Sequence, residues 1–239
     1  MPTLSVVIPC YNESKNIPLI LDRFSQVINR LDVELLLIDN GSTDDSPAVL
    51  QEHLPGYKFA ATYRVPVNQG YGFGILQGLS QVASRSEFIG WTHADMQTDP
   101  ADILRALEMI EKSAEPKRAY AKGLRHGRTF AENVFTCGMA VFETMLLQTS
   151  LWDINAQPNI FHHTFFESWK NPPHDFSLDL YAFYQARQQK LDVVRFDVKF
   201  PPRIYGESKW NTGIAARWKF IKRTLTFSFE LKRRLDSTS

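Results

Sequence analysis

Short apolar runs alternate with amphipathic segments over roughly the first 110 residues, and this alternation constrains the fold more than any other feature. Strand-like runs cover residues 4–8, 33–38, 59–64 and 88–92. Apolar residues recur at spacings of three and four between residues 17 and 31, which predicts an amphipathic helix after the first strand. Further helices are predicted before residue 83 and after Pro100. Strands alternating with helices of this length predict βαβ units, and therefore an α/β fold with a Rossmann-like, doubly wound, mostly parallel sheet.

The second half of the chain has a looser pattern. Helices are predicted near 131–147 and 177–189, a strand over 193–200, and a loop over 153–163. The sequence contains no internal repeat and no low-complexity segment. We therefore predict a single domain over residues 1–212, composed of the halves 1–125 and 126–212, and a C-terminal amphipathic helix within 213–239.

That C-terminal segment carries most of the charge asymmetry of the chain. The net charge is +1, but residues 217–234 contain seven Lys and Arg against one Glu, a net of +6, so the remainder sums to −5. An overall balance of this kind disfavours binding to a nucleic acid polymer. One helical stripe of the segment is formed by Trp218, Ile221, Leu225 and Phe229. Two alternatives stay open for this basic helix, peripheral contact with an anionic membrane and packing against the domain.

The cysteines and the N-terminal residues bear on the compartment. Two cysteines, Cys10 and Cys137, cannot form a disulfide framework, which favours a reducing compartment. The first residues lack the basic region and long apolar run of a secretory signal. No stretch approaches the roughly 18 consecutive apolar residues of a membrane-spanning helix. We therefore expect a cytoplasmic protein, with contact at the cytoplasmic face of the membrane under the first alternative above.

Polar residues collect where the predicted strands end. These residues lie in the segments 9–13, 39–40, 68 and 93–95. Because ligands of doubly wound sheets bind at the carboxyl ends of the strands, the segments predict one site. Within it, Asp95 and Gln97 offer two oxygen side chains two positions apart, which is a pattern that can bind one divalent cation. The alternative is that Asp95 caps a helix and Gln97 lies on the surface.

Three other motifs carry possible chemistry. The glycines of Asn68–Gly74 fail the dinucleotide pattern G-x-G-x-x-G in both registers, so they predict either a flexible turn or a close approach of a ligand to the backbone. Arg203 and Lys209 flank a turn of small residues that suits an anionic group, or forms an ordinary loop. Asp179 lies one turn inside a predicted helix among apolar residues and is a candidate general base.

Six motifs, taken in order, resemble the family 2 glycosyltransferases with a GT-A fold, and most closely the dolichol- or polyprenyl-phosphate sugar synthases. The matching segments are SVVIPCYNESKNI, LLLIDNGSTDDS, NQGYGFGILQG, HADMQTDP, DINAQPNIF and RIYGESKW, which together span nearly the whole chain. The resemblance implies a metal-dependent, inverting transfer of a hexose from a UDP- or GDP-sugar to a membrane-associated acceptor, such as polyprenyl phosphate or a glycan intermediate. It assigns the nucleotide-sugar and metal site to residues 1–125 and the acceptor site to residues 126–212.

The resemblance also implies roles for individual residues. Asp95 and Gln97 would hold Mg²⁺ or Mn²⁺, and Asp179, Arg203 and Lys209 would be catalytic. The nucleotide-sugar pocket would be lined by Pro9, Tyr11, Glu13, Asp39, Asn40, Asn68, Gly72, His93, Ala94 and Asp95. The diphosphate or acceptor anions would be faced by Arg125, Arg203, Ser208 and Lys209.

The chain departs from the family pattern at a few of these positions. His93 and Asn40 stand where the family has aspartates, and Asn133 stands where it has an arginine of the acceptor-phosphate region. The departures motivate an alternative function, a catalytically weak nucleotide-sugar-binding subunit of a glycosyltransferase complex. The retained Asp95, Gln97 and Asp179 favour the enzyme.

Overall fold

The computed structural model describes residues 1–127, 130–201, 203, 205 and 214–236, without the side chains of 130–135, 214–220, 235 and 236. Its strands are β1 (Leu4–Cys10), β2 (Val33–Asn40), β3 (Ala60–Val65), β4 (Phe88–Trp91), β5 (Ala119–His126), β6 (Asn159–His162) and β7 (Asp192–Lys199). Its helices are α1 (Asn16–Val27), α2 (Ser46–His53), α3 (Tyr71–Val82), α4 (Ala101–Glu111), α5 (Phe130–Leu147), α6 (His163–Glu167), α7 (Leu178–Gln188) and α8 (Ile214–Asp236). The predicted βαβ alternation is confirmed over the first half.

The seven strands form one sheet in the order β3-β2-β1-β4-β6-β5-β7. All neighbouring strands are parallel except where β6 pairs with β4 and with β5. Apolar side chains fill both faces of the sheet in two core clusters. The predicted α/β class and mostly parallel sheet are therefore confirmed, as two covered faces are typical of such sheets.

The sequence prediction needs correction at two strands. Residues 159–162 are a strand and not part of a loop, because this four-residue segment pairs antiparallel with both β4 and β5. Strand β5 was not predicted as a strand, although it lies between β6 and β7 in the sheet. Both strands depend on pairing partners far away in the sequence, which a local pattern does not reveal.

The sheet brings the carboxyl ends of β1, β2, β4 and β5 to one edge. Cys10 is paired with Asp39, and Trp91 is paired with Asn159, the first residue of the antiparallel β6. Asn159 is also paired with Lys122 of β5. The antiparallel direction of β6 therefore places its N-terminal residue beside the carboxyl ends of its neighbours, at the edge where ligands of such folds bind.

Helix α8 packs against the body of the protein. Phe227 and Leu231 belong to a core cluster, and Ser228 is fully buried and donates a hydrogen bond of 2.5 Å to Oε1 of Glu143 on α5. The stripe predicted from the sequence is not this buried face, because Phe229 is 55% exposed. One face of α8 therefore packs against the domain, as the second alternative predicted. The side chain of Trp218, which belongs to the predicted stripe, lies outside the described residues.

The contact between α5 and α8 predicts a pH-dependent stability. Burial raises the pKa of Glu143 to about 7, against the lowering effect of the Ser228 hydrogen bond, and Oε2 of Glu143 has no hydrogen-bond partner. Because the folded chain binds this proton more tightly than the unfolded chain, the stability it contributes is complete below about pH 4.5 and is lost as the pH rises through about 7. The glutamine of Glu143→Gln does not titrate. The free energy of unfolding of this variant at pH 8 should therefore be higher than that of the wild type by up to about 3 kcal/mol.

Urea unfolding of the full chain at pH 5 and pH 8 measures this difference. The exposed Glu230→Gln on α8 is the matched control and should follow the wild-type pH dependence. Equal pH dependence in Glu143→Gln and the wild type would contradict the prediction.

Candidate active site

A buried carboxylate, Asp39, lies at the end of β2 with one oxygen engaged and the other available. Its side chain is 2% exposed, and its Oδ1 accepts a hydrogen bond of 2.9 Å from the backbone N–H of Ser42. Its Oδ2 takes no hydrogen bond, although Nε of Arg64 lies 3.4 Å away. A buried acceptor without a donor is costly, so this oxygen is suited to receive a donor from a ligand.

The sharp turn after Asp39 requires glycine. Gly41 has φ +71°, and a Cβ there would lie 2.5 Å from the backbone N of Asn68. The turn therefore keeps the loops after β2 and β3 in close contact. This turn holds Asp39 at the edge where the site lies.

Asp95 and Gln97, in the loop after β4, direct their oxygens at one cationic group. Oδ2 of Asp95 lies 3.0 Å from Nη2 of Arg203, and Oε1 of Gln97 accepts a hydrogen bond of 3.1 Å from its Nε. The orientation of the Gln97 amide follows from its Nε2, which donates to the carbonyl of Pro201 at 2.9 Å. The two oxygens thus converge on a single positive charge, that of Arg203, and their role as metal ligands stays a prediction.

This arrangement fits a divalent cation shared with a ligand. Carboxylate and amide oxygens are the ligands that Mg²⁺ and Mn²⁺ take in proteins. Among the described residues, no group of three or more His, Cys, Asp or Glu could hold a metal ion. A site with one carboxylate is nevertheless typical of Mg²⁺ that is also bound by phosphate oxygens of a substrate.

Glu13 adds negative charge to the same edge. Its Oε2 accepts a hydrogen bond of 2.6 Å from Nδ2 of Asn16. Burial raises the pKa of Glu13; the hydrogen bond from Asn16 opposes this, and the charge of Asp95 raises it further. Glu13 and Asp95 are thus close enough to repel each other, which is an environment that a bound cation relieves.

A second polar cluster surrounds Asp179 in the first turn of α7. Asp179 is 1% exposed, and its Oδ1 accepts hydrogen bonds from Nε2 of Gln157 at 2.8 Å and from Nδ2 of Asn159 at 3.3 Å. Oδ1 of Asn159 in turn accepts from the hydroxyl of Tyr120 at 2.7 Å and from Nζ of Lys122 at 2.8 Å. The candidate base is therefore held by an ordered network rather than by solvent.

The two clusters are joined through His93 and Tyr71. Nε2 of His93 and the hydroxyl of Tyr71 share a hydrogen bond of 2.9 Å, and Nδ1 of His93 lies 3.9 Å from Oδ2 of Asp95. On the other side, Nε2 of Gln157 donates to the Tyr71 hydroxyl at 3.5 Å. A series of polar contacts thus runs from Asp95 to Asp179, and its longest step is the 3.9 Å between His93 and Asp95. The histidine that replaces a family aspartate is part of this path.

Arg125, which the family resemblance assigns to an anion, has a carboxylate partner within the protein. Its backbone N–H and its Nε each donate a hydrogen bond of 2.8 Å to the carboxylate of Asp153, and its Nη2 also contacts that carboxylate. The guanidinium, whose side chain is 10% exposed, therefore has its charge neutralised inside the protein. Its role toward a diphosphate or acceptor anion stays a prediction.

Three residues assigned to the donor pocket have structural partners. Nδ2 of Asn40 donates to the carbonyl of Gly70 at 2.9 Å, and Oδ1 of Asn68 accepts from the backbone N–H of Gly70 at 2.9 Å. A Cβ on Gly72 would lie 2.7 Å from the carbonyl oxygens of Pro173 and Asp175. The glycine is thus required by a close approach of the chain's own backbone, and its role toward a ligand stays a prediction.

The remaining predicted residues lie at the same edge or outside the described part. Tyr11 is 37% exposed after β1, whereas Ala94 is 4% exposed beside Asp95. Pro9 is half-buried within β1. Ser208 and Lys209 lie outside the described residues.

Sequence reasoning missed five residues of the network, which are Tyr71, Tyr120, Lys122, Gln157 and Asn159. Gln157 and Asn159 stand in the segment expected to be a loop, and Lys122 stands in the strand that was not predicted. The one available signal was the run of side-chain amides in Asn155–Asn159, because such amides are uncommon in buried strands.

The chain is similar to known proteins both in sequence and in fold. Residues 5–166 match the family model described as glycosyl transferase family 2. The chain is 37% identical over 112 residues to undecaprenyl-phosphate 4-deoxy-4-formamido-L-arabinose transferase of Sodalis glossinidius, covering 44% of this chain and 33% of that protein. The Serratia proteamaculans protein of the same name is 32% identical over 115 residues, covering 46% of this chain and 34% of that protein. The chain therefore spans about a third of the length of the curated relatives it matches.

Two solved structures share the fold. Glucosyl-3-phosphoglycerate synthase of Mycobacterium tuberculosis, with Mn²⁺, UDP-glucose and phosphoglyceric acid, superposes with a TM-score of 0.70 at 17% identity, covering 95% of this chain and 80% of that one. A mannosyltransferase of Pyrobaculum calidifontis with GDP-mannose and Mn²⁺ superposes with a TM-score of 0.70 at 17% identity, covering 98% of this chain and 64% of that one. No helix among the described residues is long and apolar enough to span a bilayer.

Proposed function

The chain belongs to glycosyl transferase family 2, and from this premise we propose that it is a metal-dependent inverting glycosyltransferase. It moves a hexose from a UDP- or GDP-sugar to a membrane-associated acceptor. The observation that carries the proposal is the convergence of the Asp95 and Gln97 oxygens on one cationic group, at the strand edge that also holds Asp39.

The donor binds at the ends of β1, β2 and β4. Oδ2 of Asp39, buried without a hydrogen bond, receives a donor group of the nucleoside, and Tyr11 lies exposed beside it to contact the base. Asp95 and Gln97 hold Mg²⁺ or Mn²⁺, which supplies charge neutralisation for the diphosphate. Arg203, already within 3.0 Å of Asp95, pairs with the negative charge that develops on the departing nucleotide.

Asp179 faces the sugar and the acceptor. Its carboxylate, held by Gln157 and Asn159, stabilises the positive charge that develops at the anomeric carbon of an oxocarbenium-like transition state. In-line attack by the acceptor oxygen from the opposite side of the leaving diphosphate inverts that carbon. The path through Tyr71 and His93 connects this centre to Asp95 and fixes the two halves relative to each other.

Polyprenyl phosphate is the acceptor we propose, since the named curated relatives are undecaprenyl-phosphate transferases. A phosphate oxygen attacks without prior removal of a proton. A hydroxyl of a lipid-linked glycan is the second candidate, favoured by the buried carboxylate of Asp179 and by the neutralisation of Arg125 by Asp153. With a hydroxyl acceptor, Asp179 is the base that removes its proton.

Release of free nucleoside diphosphate tests the proposal. UDP- and GDP-sugars are incubated with the full chain and Mn²⁺, with and without polyprenyl phosphate or a lipid-linked glycan. An enzyme releases UDP or GDP many times per chain when the right acceptor is present. Binding of UDP or GDP without release in every combination would support the alternative, a nucleotide-sugar-binding subunit of a glycosyltransferase complex.

The exposed face of α8 supports peripheral contact with a membrane. Lys222, Phe229 and Arg233 are exposed and lie at spacings of seven and four residues, which places them on one side of the helix. The ring of Phe229 contacts Phe142 of α5 at 5.9 Å between centroids, and α5 also exposes Met145, at 74%. Apolar side chains flanked by cations are typical of a surface that lies on anionic lipid.

Charge reversal on this face should weaken binding to vesicles that contain phosphatidylglycerol. Each Lys or Arg near an anionic surface contributes about 1 kcal/mol, so Lys222→Glu with Arg233→Glu should lower the partition coefficient at least about thirtyfold. The control pair, Lys58→Glu with Lys112→Glu, makes the same change of net charge at exposed positions of the body. Co-sedimentation of the two double variants with equal affinity would contradict the membrane contact.

A further inference from the structure

We propose that Lys122 is a positioning residue that fixes the direction of the Asp179 carboxylate through the side-chain amides of Asn159 and Gln157. The proposal rests on the proposed function, in which Asp179 faces the sugar and the acceptor. Lys122 lies on β5 and is fully buried. It does not reach the reacting atoms in this scheme, and acts only through its neighbours.

The argument starts from the hydrogen-bonding capacity of a lysine. An ammonium group has three N–H donors and no acceptor. Nζ of Lys122 donates to the carbonyl of Ala156 at 2.9 Å and to Oδ1 of Asn159 at 2.8 Å. An amide flipped at Asn159 would place N–H donors against N–H donors, so the ammonium admits only the observed orientation.

That orientation then determines the next amide. With its oxygen toward Lys122, Asn159 points Nδ2 at Oε1 of Gln157, 2.8 Å away, and at Oδ1 of Asp179. Because Oε1 of Gln157 accepts this bond, its Nε2 must face Asp179 and Tyr71. The ammonium of Lys122, which can only donate, therefore sets the direction of every hydrogen bond in this series. The result is that two N–H donors meet the same oxygen of Asp179.

The surroundings of Lys122 make its charge sensitive to pH. Burial lowers the pKa of Lys122 to about 7, and the charge of Asp179 on α7 opposes this shift. Arg195 of β7 and Arg125 of β5 also lower it, and Asp153, before β6, raises it. Two further groups pack nearby, the Tyr120 hydroxyl on the same amide oxygen and the ring of Phe183, 5.5 Å from Nζ.

Loss of the proton from Lys122 removes the constraint. A neutral amine has a lone pair and can accept a hydrogen bond, so both orientations of the Asn159 amide become allowed. The network around Asp179 is therefore expected to be ordered below about pH 7 and to have two arrangements above it. Misorientation of a catalytic group by about 1 Å costs up to about a hundredfold in rate.

Nuclear magnetic resonance of the ligand-free wild-type chain tests the proposal without a measurement of enzymatic activity. The side-chain amide signals of Asn159 and Gln157 are assigned by their disappearance in Asn159→Leu and Gln157→Leu. In the wild type, both signals should shift together with one midpoint between pH 6 and 8. In Lys122→Met this common step should be absent, whereas the exposed control Lys112→Met should keep it.

The activity of the same variants gives a second measurement. Once the productive acceptor is identified, Lys122→Met should lower kcat about tenfold to a hundredfold at pH 6.5 with little change in the donor KM, because the donor site is separate. Lys112→Met should match the wild type. Absence of the amide step in the wild type, or its persistence in a folded Lys122→Met, overturns the proposal. The wild-type titration requires neither turnover nor a folded Lys122→Met. It therefore tests the role of Lys122 even where the proposed transfer fails or Lys122→Met does not fold.

Discussion

Replacement of Asp95 by asparagine should abolish metal-dependent turnover, with kcat/KM lower by at least about a thousandfold, or about 4 kcal/mol of transition-state stabilisation. Asparagine keeps the size of the side chain and an oxygen that can accept from the backbone N–H of Gln97, now at 3.2 Å. It removes the negative charge at Oδ2, which lies 3.0 Å from Arg203 and which we assign to the metal. The fold should therefore persist while the metal is lost.

Calorimetric titration with UDP and GDP, in the presence and absence of Mn²⁺, measures the effect without any acceptor. The wild type should bind one of the two nucleotides more tightly with Mn²⁺, and Asp95→Asn should show no such enhancement. Asp99→Asn, four residues further on in an exposed ion pair with Arg23, is the matched control and should behave as the wild type. Retention of Mn²⁺-enhanced binding by Asp95→Asn would refute the metal assignment.

Replacement of Asp179 by asparagine should lower kcat about a hundredfold or more and leave donor binding intact. The carboxylate is buried, and its charge is the property that asparagine lacks. Without this charge the positive anomeric carbon loses its stabilising partner, and a hydroxyl acceptor also loses its base. The substituted side chain would further present an N–H₂ group or an oxygen to the donors of Gln157 and Asn159, which now both point at Oδ1 of Asp179.

Separate measurement of kcat and of the donor KM in Asp179→Asn distinguishes these effects from a simple loss of stability. Donor KM and nucleotide affinity should stay within about twofold of the wild type, because Asp39 lies at the end of β2 and Asp95 and Gln97 lie in the loop after β4. Asp175→Asn is a suitable control, since Asp175 precedes α7 and accepts a local hydrogen bond from the backbone N–H of Ser177 at 2.9 Å. An unchanged kcat in Asp179→Asn would remove Asp179 from the catalytic residues.

Much of the fold was predictable because its first half is governed by local patterns. Strands β1 and β2 are mainly apolar, and helix α1 buries Ile17, Ile20 and Phe24 at the spacing that the sequence predicts. Buried strands of parallel sheets have this composition because both faces are covered. The position of Asp39 and Asp95 at strand ends follows from the same pattern.

The strands and site residues that the sequence did not predict depend on contacts between distant segments. Strand β6 exists because it pairs with β4 and β5, and its four residues carry no alternation of their own. The roles of Gln157, Asn159 and Lys122 follow from that pairing, so a local pattern did not reveal them. The contact of Arg125 with Asp153, 28 residues away, was hidden from local patterns for the same reason.

Arg203 shows what the motif resemblance contributed beyond local patterns. It lies 106 residues from Gln97 in the sequence, yet the two side chains are hydrogen bonded. Neither spacing nor charge pattern predicts such a contact, whereas the ordered motifs of the family do imply that both residues serve one site. The histidine at position 93 shows the limit of this inference, because only the structure relates it to Tyr71.

Mass spectrometry of the lipid products tests the central claim most directly. The full chain is incubated with polyprenyl phosphate, UDP- and GDP-hexoses and Mn²⁺, and the lipid fraction is measured against samples that contain EDTA. The account predicts a product heavier than polyprenyl phosphate by one hexose residue, formed with one nucleotide class, absent with EDTA and absent with Asp95→Asn. Unmodified lipid in every sample, beside intact donor, would contradict transfer to polyprenyl phosphate.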